Sequence, residues 1–542
     1  MSIPKLIKQG NKTILTVKDK TFVALAGEVH NSDSSSVEYM EGIWKIADDL
    51  GMNTLLLPVT WEMVEPVEGQ YDFKIVEDLI LQARRWGKKI GFLWFGSWKN
   101  AECMYTPEWV KTDLARFKRA QMEKGKNKAG RTISPSIPFK MPYTTISYLC
   151  TEAMEADAKV FAKLMEFIKS IDEEENTVIT VQVENETGLL GAARENSDEA
   201  DALFNGEVPA EFADYMHANS ETMVDDVKAA VESGAPRGTW SEVFGAVAEE
   251  IFSAYYVSTF VDYVAAAGKA VYPLPMSANC WLDKGGEPGS YPTGGPVSRV
   301  HEVWNFCAPN IDIYSPDIYV PDFMGVCNEF TRRETPLYIP EAATHSYAAP
   351  RMVYTVGHYH CVCYSPFGFD DIGKPFTATQ GYLFGMDVND PALKTPQNYE
   401  EYGAAGKYLQ QLMPLIGAKL GTNDLQAACG EACEDGKPGM MAFGDGFMAI
   451  ANFKNQMQPR NDGYVLIVKA GENEIYALGN AASLMLMSAD PTRPNCDILR
   501  LEEGSFDEDG KWVRGRILNG DEAAQLGFEK PSILRIKYFL YN

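Results

Sequence analysis

The sequence predicts an α/β fold, a (β/α)8 barrel followed by a smaller all-β, sandwich-like C-terminal domain, and three observations carry that prediction. First, Thr177-Val-Ile-Thr-Val-Gln-Val-Glu-Asn-Glu-Thr-Gly188 drives a β-branched run into Asn185 and Glu186. Such a run is too short for a typical helix and lacks the alternation of a half-solvated sheet, so it reads as a parallel strand covered on both faces. Second, Thr335-Pro-Leu-Tyr-Ile-Pro-Glu341 has the same shape, apolar residues running up to one acid. In one closed parallel barrel both acids would face the same mouth, where such folds carry their chemistry. Third, the texture changes near Gly421: Met440 to Asn452, Gly463 to Lys469, Glu474 to Leu478 and Ile533 to Tyr541 read as short strands between Gly and Asp turns.

The 542 residues suffice for two domains, which we place at 1–420 and 421–542. A net charge of −26 argues against nucleic acid or an anionic membrane as partner, because phosphate binding depends on clustered Lys and Arg. The start, Met1-Ser-Ile-Pro-Lys-Leu-Ile-Lys-Gln9, has no apolar core of signal-peptide length, which predicts a cytoplasmic protein. Ten cysteines in so long a chain are too sparse for a disulfide framework and read as free thiols.

Along the chain, residues 3 to 20 alternate around Gly10-Asn11 and predict a β-hairpin against the barrel's bottom. Phe22 to Gly27 reads as strand one. Ser34, Ser35 or Ser36 stands ready to cap a helix whose apolar positions Met40, Ile43, Trp44, Ile46 and Ala47 fall at helical spacing. Asn53 to Pro58 gives strand two, with Glu65-Pro66 a structural turn and Trp61 nearer the substrate. Helix Ile75 to Trp86 leads to strand three, Lys89 to Phe95. The basic stretch Lys111 to Lys128 reads as a solvated helix on a long loop, and Trp98 as an aromatic platform. Helix Glu152 to Ile171 precedes the Glu186 strand, and a helix-rich insertion runs from Pro209 to Ala267. Tyr272 to Ala278 reads as strand five and Ile311 to Ser315 as strand six. The glycines from Gly285 to Gly295 mark a loop and not a phosphate cradle, since no Gly-Lys-Ser/Thr follows. The cluster His358-x-His360-Cys361-x-Cys363 offers zinc-type ligands, but strand alternation would split the histidines from the cysteines, so it reads as core packing of strand eight, with no metal. Tyr399 to Ile416 closes the barrel as an amphipathic helix.

Two acids at one barrel mouth suit glycosidic cleavage. One, kept protonated by an apolar pocket and its neighbour's charge, donates to the leaving oxygen; the other attacks the anomeric carbon when the carboxyls lie roughly 5 to 5.5 Å apart. Here a family resemblance enters. Gln182-Val-Glu-Asn-Glu186 resembles the fourth-strand Asn-Glu signature of clan A retaining glycoside hydrolases, and Tyr338-Ile-Pro-Glu341 resembles their nucleophile strand, the seventh. Gly27-Glu-Val-His-Asn31 is similar to the first-strand motif of family 35 β-galactosidases. Met52 to Glu62 with Glu65-Pro-Val-Glu-Gly-Gln-Tyr-Asp-Phe73 is similar to a second-strand pattern shared by families 35 and 42. Trp94 to Asn100 and Ser315 to Tyr319 extend the likeness over roughly residues 20 to 420, and a compact bacterial branch of family 35 fits best.

The resemblance implies a retaining exo-β-galactosidase with no cofactor, acting on a small-molecule or oligosaccharide substrate, and a homodimer. It assigns Glu186 as general acid and base, Glu341 as nucleophile, and Asn185 as donor to the sugar's 2-hydroxyl. It places Tyr319, with Tyr314 as fallback, as hydrogen-bond partner of the nucleophile, and Trp98, Trp61 and His30 nearer the substrate. Two departures concern the sugar: Asn31 stands where family 35 usually has tyrosine, and Phe95-Gly-Ser-Trp98 replaces its galactose-contacting element after strand three. Another β-linked sugar (glucose, fucose or arabinose) is the alternative. A non-catalytic carbohydrate-binding barrel would need a lost acid, and both acids are present.

Overall fold

The computed structural model describes residues 2–124, 144–284, 286–332, 335–345, 347–375, 377, 396–433, 437–455 and 458–542. The chain opens as a three-stranded meander, β1 (Lys5–Gln9), β2 (Lys12–Val17) and β3 (Lys20–Phe22), one strand more than the expected hairpin. Its turn carries Gly10 at φ +58°, and a Cβ there would strike the carbonyl of Gly421. Leu15 and Val17 of β2 are buried with Ala24, Ala26, Leu56, Leu93 and Ile313, so the meander seals the bottom of the barrel.

The barrel strands are β4 (Ala24–Glu28), β5 (Thr54–Thr60), β6 (Lys89–Phe95), β7 (Val178–Val183), β8 (Met276–Trp281) and β9 (Ile313–Ile318), then β10 (Tyr338–Ile339), β11 (Glu341–Ala342) and β12 (Cys363–Tyr364). All pair in parallel in the order β10-β12-β4-β5-β6-β7-β8-β9-β11. Strands β10 and β11 are halves of one run broken at Pro340, which has no N–H for a ladder. The first half pairs with β12 and the second with β9, which closes an eight-stranded (β/α)8 barrel.

Strands five and six begin later than the sequence suggests. Pro273 and Pro275 cannot donate, so pairing of β8 starts only at Met276, and β9 starts at Ile313. The helices follow the expected spacing. Val37–Asp49 is capped by Ser36, whose hydroxyl accepts from Tyr39 N–H at 3.3 Å, and it buries Met40, Ile43, Trp44 and Ala47. Lys74–Arg85, Thr151–Asp172 and Tyr399–Lys419 also form as read. The basic stretch differs: helix covers only Glu108–Thr112, and residues 125–128 lie outside the described residues.

Strand eight required the largest correction. Thr355–Tyr359 is a π-helical turn, and His360 takes φ +55°, so the alternation expected for His358 to Cys363 does not exist. His358 stacks on Tyr354, and both ring nitrogens of His360 are used: Nδ1 accepts from Gly421 N–H at 2.6 Å and Nε2 lies 3.2 Å from the Leu425 carbonyl.

Beyond the closing helix, a six-stranded and a four-stranded antiparallel sheet enclose a second core around Phe447, Ala449, Val465, Ile467, Ile475 and Ile536. The period of two divides the larger sheet between two jobs. Tyr464, Leu466, Val468 and Leu478 turn the other way, into the barrel's helical shell with Leu409, Leu412 and Ile416. Arg351 of helix Ala348–Tyr354 adds a bidentate pair across this junction, its Nε 2.9 Å from Glu431 Oε2. All ten cysteines are free thiols. Among the described residues, no helix is long and apolar enough to cross a membrane.

Candidate active site

Ala24 and Ala26 face the barrel interior, so alternation puts Glu28 on that same face at the strand's C-terminal end. Asp317 and Glu341 are side by side in the β9–β11 register. One carboxylate oxygen from each of Glu186, Asp317 and Glu341 lies within 4.8 Å of the other two, and all three residues are buried. The two acids read from sequence therefore do converge at the mouth.

Glu186 follows β7 in a strained backbone. Glu184 and Glu186 both adopt left-handed conformations, at φ +63° and +46°, each costing roughly 1 to 3 kcal/mol for a non-glycine residue. Neighbours hold that strain in place. Asn279 of β8 accepts the Glu186 N–H at 2.9 Å, Ala101 N–H donates to the Glu186 carbonyl at 2.9 Å, and the Glu184 carboxylate accepts the Trp98 N–H at 2.8 Å. Asn279 also donates through Nδ2 to Asp317 at 2.9 Å, so one amide fixes the spacing of two acids.

The loop after β6 completes the wall. Asp157 accepts from Trp94 Nε1 at 2.8 Å and from the Ser97 N–H and hydroxyl at 2.8 and 2.6 Å. Gly96 lies so close to that carboxylate that a Cβ would overlap it. This anchor presents Lys99 and Asn100: Lys99 Nζ donates to Asn185 Oδ1 at 2.9 Å, and Asn100 Nδ2 donates to Glu186 Oε2. The amide nitrogen of Asn185 is buried without an acceptor among the described residues.

The electrostatics favour a proton on Glu186. Burial and the charge of Glu341 push Glu186 up to about 7, against the pull of Lys99. Asp317 and Glu28 are raised well above the usual carboxylate range, first by burial and then by Glu341. The four carboxyls raise Lys99 despite its burial, so it stays an ammonium ion among them. Tyr319 donates its hydroxyl to Glu341 Oε2 at 2.6 Å, and burial beside that carboxylate keeps the phenol protonated. Among the described residues, Glu341 Oε1 has no hydrogen-bond partner.

Other expected site residues fall elsewhere. Trp61 is fully buried, edge-on to Trp109, with its indole N–H 2.9 Å from Glu65; it supports the turn and has no face toward a ligand. Trp98 is likewise core, its ring edge-on to Phe260 at 4.5 Å, and only its backbone serves the site. His30 stands on the rim, 3.2 Å from Asp371 and edge-on to Phe367. Tyr314 hydrogen-bonds Asn305 instead of Glu341. Sequence reasoning missed Glu28, Lys99, Asn100, Asn279 and Asp317. Glu28 carried the same signal as the two acids it found, an acid ending an apolar strand.

Among the described residues, two groups bring three metal-type ligands together: Glu186, Asp317 and Glu341, and His30, Asp370 and Asp371. In the first, the Lys99 ammonium already supplies positive charge. In the second, Lys374 pairs with Asp371 at 2.9 Å.

Residues 404–528 match the family model described as a domain of unknown function (DUF5597), which spans most of the closing helix and of the β domain. No curated protein matches the chain. Solved structures similar to it include a β-galactosidase of the psychrophilic Marinomonas ef1, at 13% identity and a TM-score of 0.45 over 73% of this chain and 60% of that one. A β-galactosidase from Bacillus circulans sp. alkalophilus matches at 10% identity and a TM-score of 0.44 over 95% and 99% of the two chains. An exo-β-1,4-mannosidase from Opitutaceae bacterium strain TAV5 matches at 14% identity and a TM-score of 0.39 over 75% and 62%. The chain thus spans about three fifths of the length of the Marinomonas enzyme.

Proposed function

We propose that the protein is a retaining exo-β-glycosidase, with terminal β-galactosides as its first substrate class. The observation that carries this reading is the approach of Glu186 and Glu341 oxygens to within 4.8 Å, in environments that favour a proton on Glu186. That spacing suits direct attack on the sugar and leaves too little room for the water an inverting enzyme places between its acids. Glu341 Oε1 attacks the anomeric carbon while Glu186 gives its proton to the departing glycosidic oxygen. Water then enters, Glu186 takes back a proton, and the resulting hydroxide displaces Glu341 with overall retention. Asn185 Nδ2 donates to the 2-hydroxyl. Lys99, Asn100 and Ala101 of the loop after β6 stand against Asn185 and Glu186, which supports trimming of a terminal residue. The choice of galactose rests on the sequence resemblance.

Initial rates on nitrophenyl β-galactoside, β-glucoside, β-fucoside and α-arabinoside test the reading. Turnover of the galactoside supports it; turnover of another glycoside keeps the reaction and moves the sugar; turnover of none overturns it. Because Glu186 must carry its proton, kcat/KM should fall as pH rises through about 7. Lys99→Met, which removes a cation that lowers Glu186, should move that limb to higher pH in a pH–rate profile. Tyr319→Phe removes one hydrogen bond to a reacting carboxylate and should cost roughly 10- to 100-fold in kcat with little change in KM.

A further inference from the structure

Of the buried carboxyls that take no step in the mechanism above, Glu28 is the one with both oxygens unpartnered among the described residues. Glu28 is 1% exposed, and among the described residues neither of its oxygens meets a hydrogen-bond donor. Natural cores seldom leave a buried carboxyl without a donor, because desolvating it costs free energy that nothing returns. Where a protein keeps such a cost, function is the usual reason. A structural explanation finds no support nearby: the exit loop after β12 packs Phe369 against Gly27, an apolar contact, and brings Glu28 no donor. Glu28 ends β4 on the interior face shared by Ala24 and Ala26, which places it at the same mouth, where it feels the charges of Glu341, Lys99 and Glu186.

We propose that Glu28 is a substrate-binding, specificity-determining residue whose carboxyl group hydrogen-bonds hydroxyls of the bound terminal sugar, so that the site takes neutral polyhydroxyl glycones and rejects uronic acids. The proposal rests on the glycosidase reading. A carboxyl that burial keeps protonated has one O–H donor and spare acceptor lone pairs, and neighbouring sugar hydroxyls, each both donor and acceptor, can meet both. Its geometry and charge also state what is refused. Glu28, Glu186, Asp317 and Glu341 already share Lys99, so a carboxylate on the sugar would be buried near Glu341 with no cation of its own among the described residues. Lys99 is already engaged with Asn185 and is not a spare anion receptor.

The experiment compares wild type, Glu28→Ala and Glu28→Gln on the glycoside that wild type turns over best and on its monodeoxy series, with thermal melts of each variant. Glu28→Ala should lose roughly 10- to 100-fold in kcat/KM on the parent sugar. On the deoxy sugar lacking the contacted hydroxyl, the loss should shrink to under ~3-fold. Because Glu28 meets no donor among the described residues, the isosteric Glu28→Gln should melt no lower than wild type. An equal loss on every deoxy sugar, or a lowered melting temperature in Glu28→Gln, would overturn the proposal.

Calorimetry with the free neutral monosaccharides and with glucuronate and galacturonate separates this proposal from the glycosidase reading. If wild type turns over no glycoside but binds a neutral sugar that Glu28→Ala does not, the reaction is wrong and Glu28 keeps its role. Uronate binding at equal strength, or no sugar binding at all, overturns the assignment of Glu28.

Discussion

Glu341→Ala should abolish turnover, lowering kcat by roughly 10⁴-fold or more, with the protein folded and melting near wild type. The loss is large because no other group can take its place: Asp317 lies beside it, but its own carboxyl is pushed up by burial and by Glu341, and its Oδ2 is held by Asn279. Glu186→Ala should behave differently. Its first step slows in proportion to how badly the leaving group needs a proton, so an activated nitrophenyl glycoside still forms the glycosyl intermediate. Azide, small enough to enter in place of the missing carboxyl, should then restore turnover as the β-glycosyl azide. Rescue of Glu186→Ala with none of the same product from Glu341→Ala would divide the two roles. Equal loss with no rescue in either would count against them.

The second large effect concerns stability. Arg351 is 1% exposed, holds Glu431 of the β-domain side through two hydrogen bonds, and lies over the Phe323 ring at 4.4 Å. A buried pair contributes little net stability compared with an apolar replacement of both partners, but removing one partner strands the other charge. Arg351→Met should therefore cost roughly 3 to 5 kcal/mol in denaturant unfolding, and Arg351→Met with Glu431→Leu should recover most of it. Arg351 is outside the carboxylate cluster, so kcat of the folded Arg351→Met fraction should stay unchanged. A loss under ~1 kcal/mol would show that apolar packing alone joins the β domain to the barrel.

The legible parts of this protein are those where one local pattern has one physical meaning. Val178 to Val183 could only be a doubly covered strand, and the acids ending such strands at Glu186 and Glu341 do meet at the barrel mouth. The hydrogen bond from Tyr319 to Glu341 is also where the resemblance put it. Aromatic residues were illegible for the opposite reason: a tryptophan suits a core as well as a sugar, and Trp61 and Trp98 are core. Pro273 and Pro275 displaced β8 from its expected start and β9 runs on to Ile318, which hid Asn279 and Asp317, although those two now set the spacing of the acids. The His358 to Cys363 cluster imitated strand alternation, and only the left-handed turn at His360 reveals a π-helical approach to strand eight. Glu28 was readable by the rule that found the other two acids; it was passed over because its strand carries Ala and Gly where theirs carry Val and Ile.

The most direct test of the two-glutamate account is covalent trapping. Wild type is incubated with a 2-deoxy-2-fluoro glycoside of the sugar it turns over, bearing a reactive leaving group, then digested and mapped by mass spectrometry. A single fluorosugar ester on the peptide carrying Glu341, with inactivation in step with labelling, is the expected result. Continued turnover without any adduct, or an adduct on Asp317 or Glu28 in place of Glu341, would contradict it.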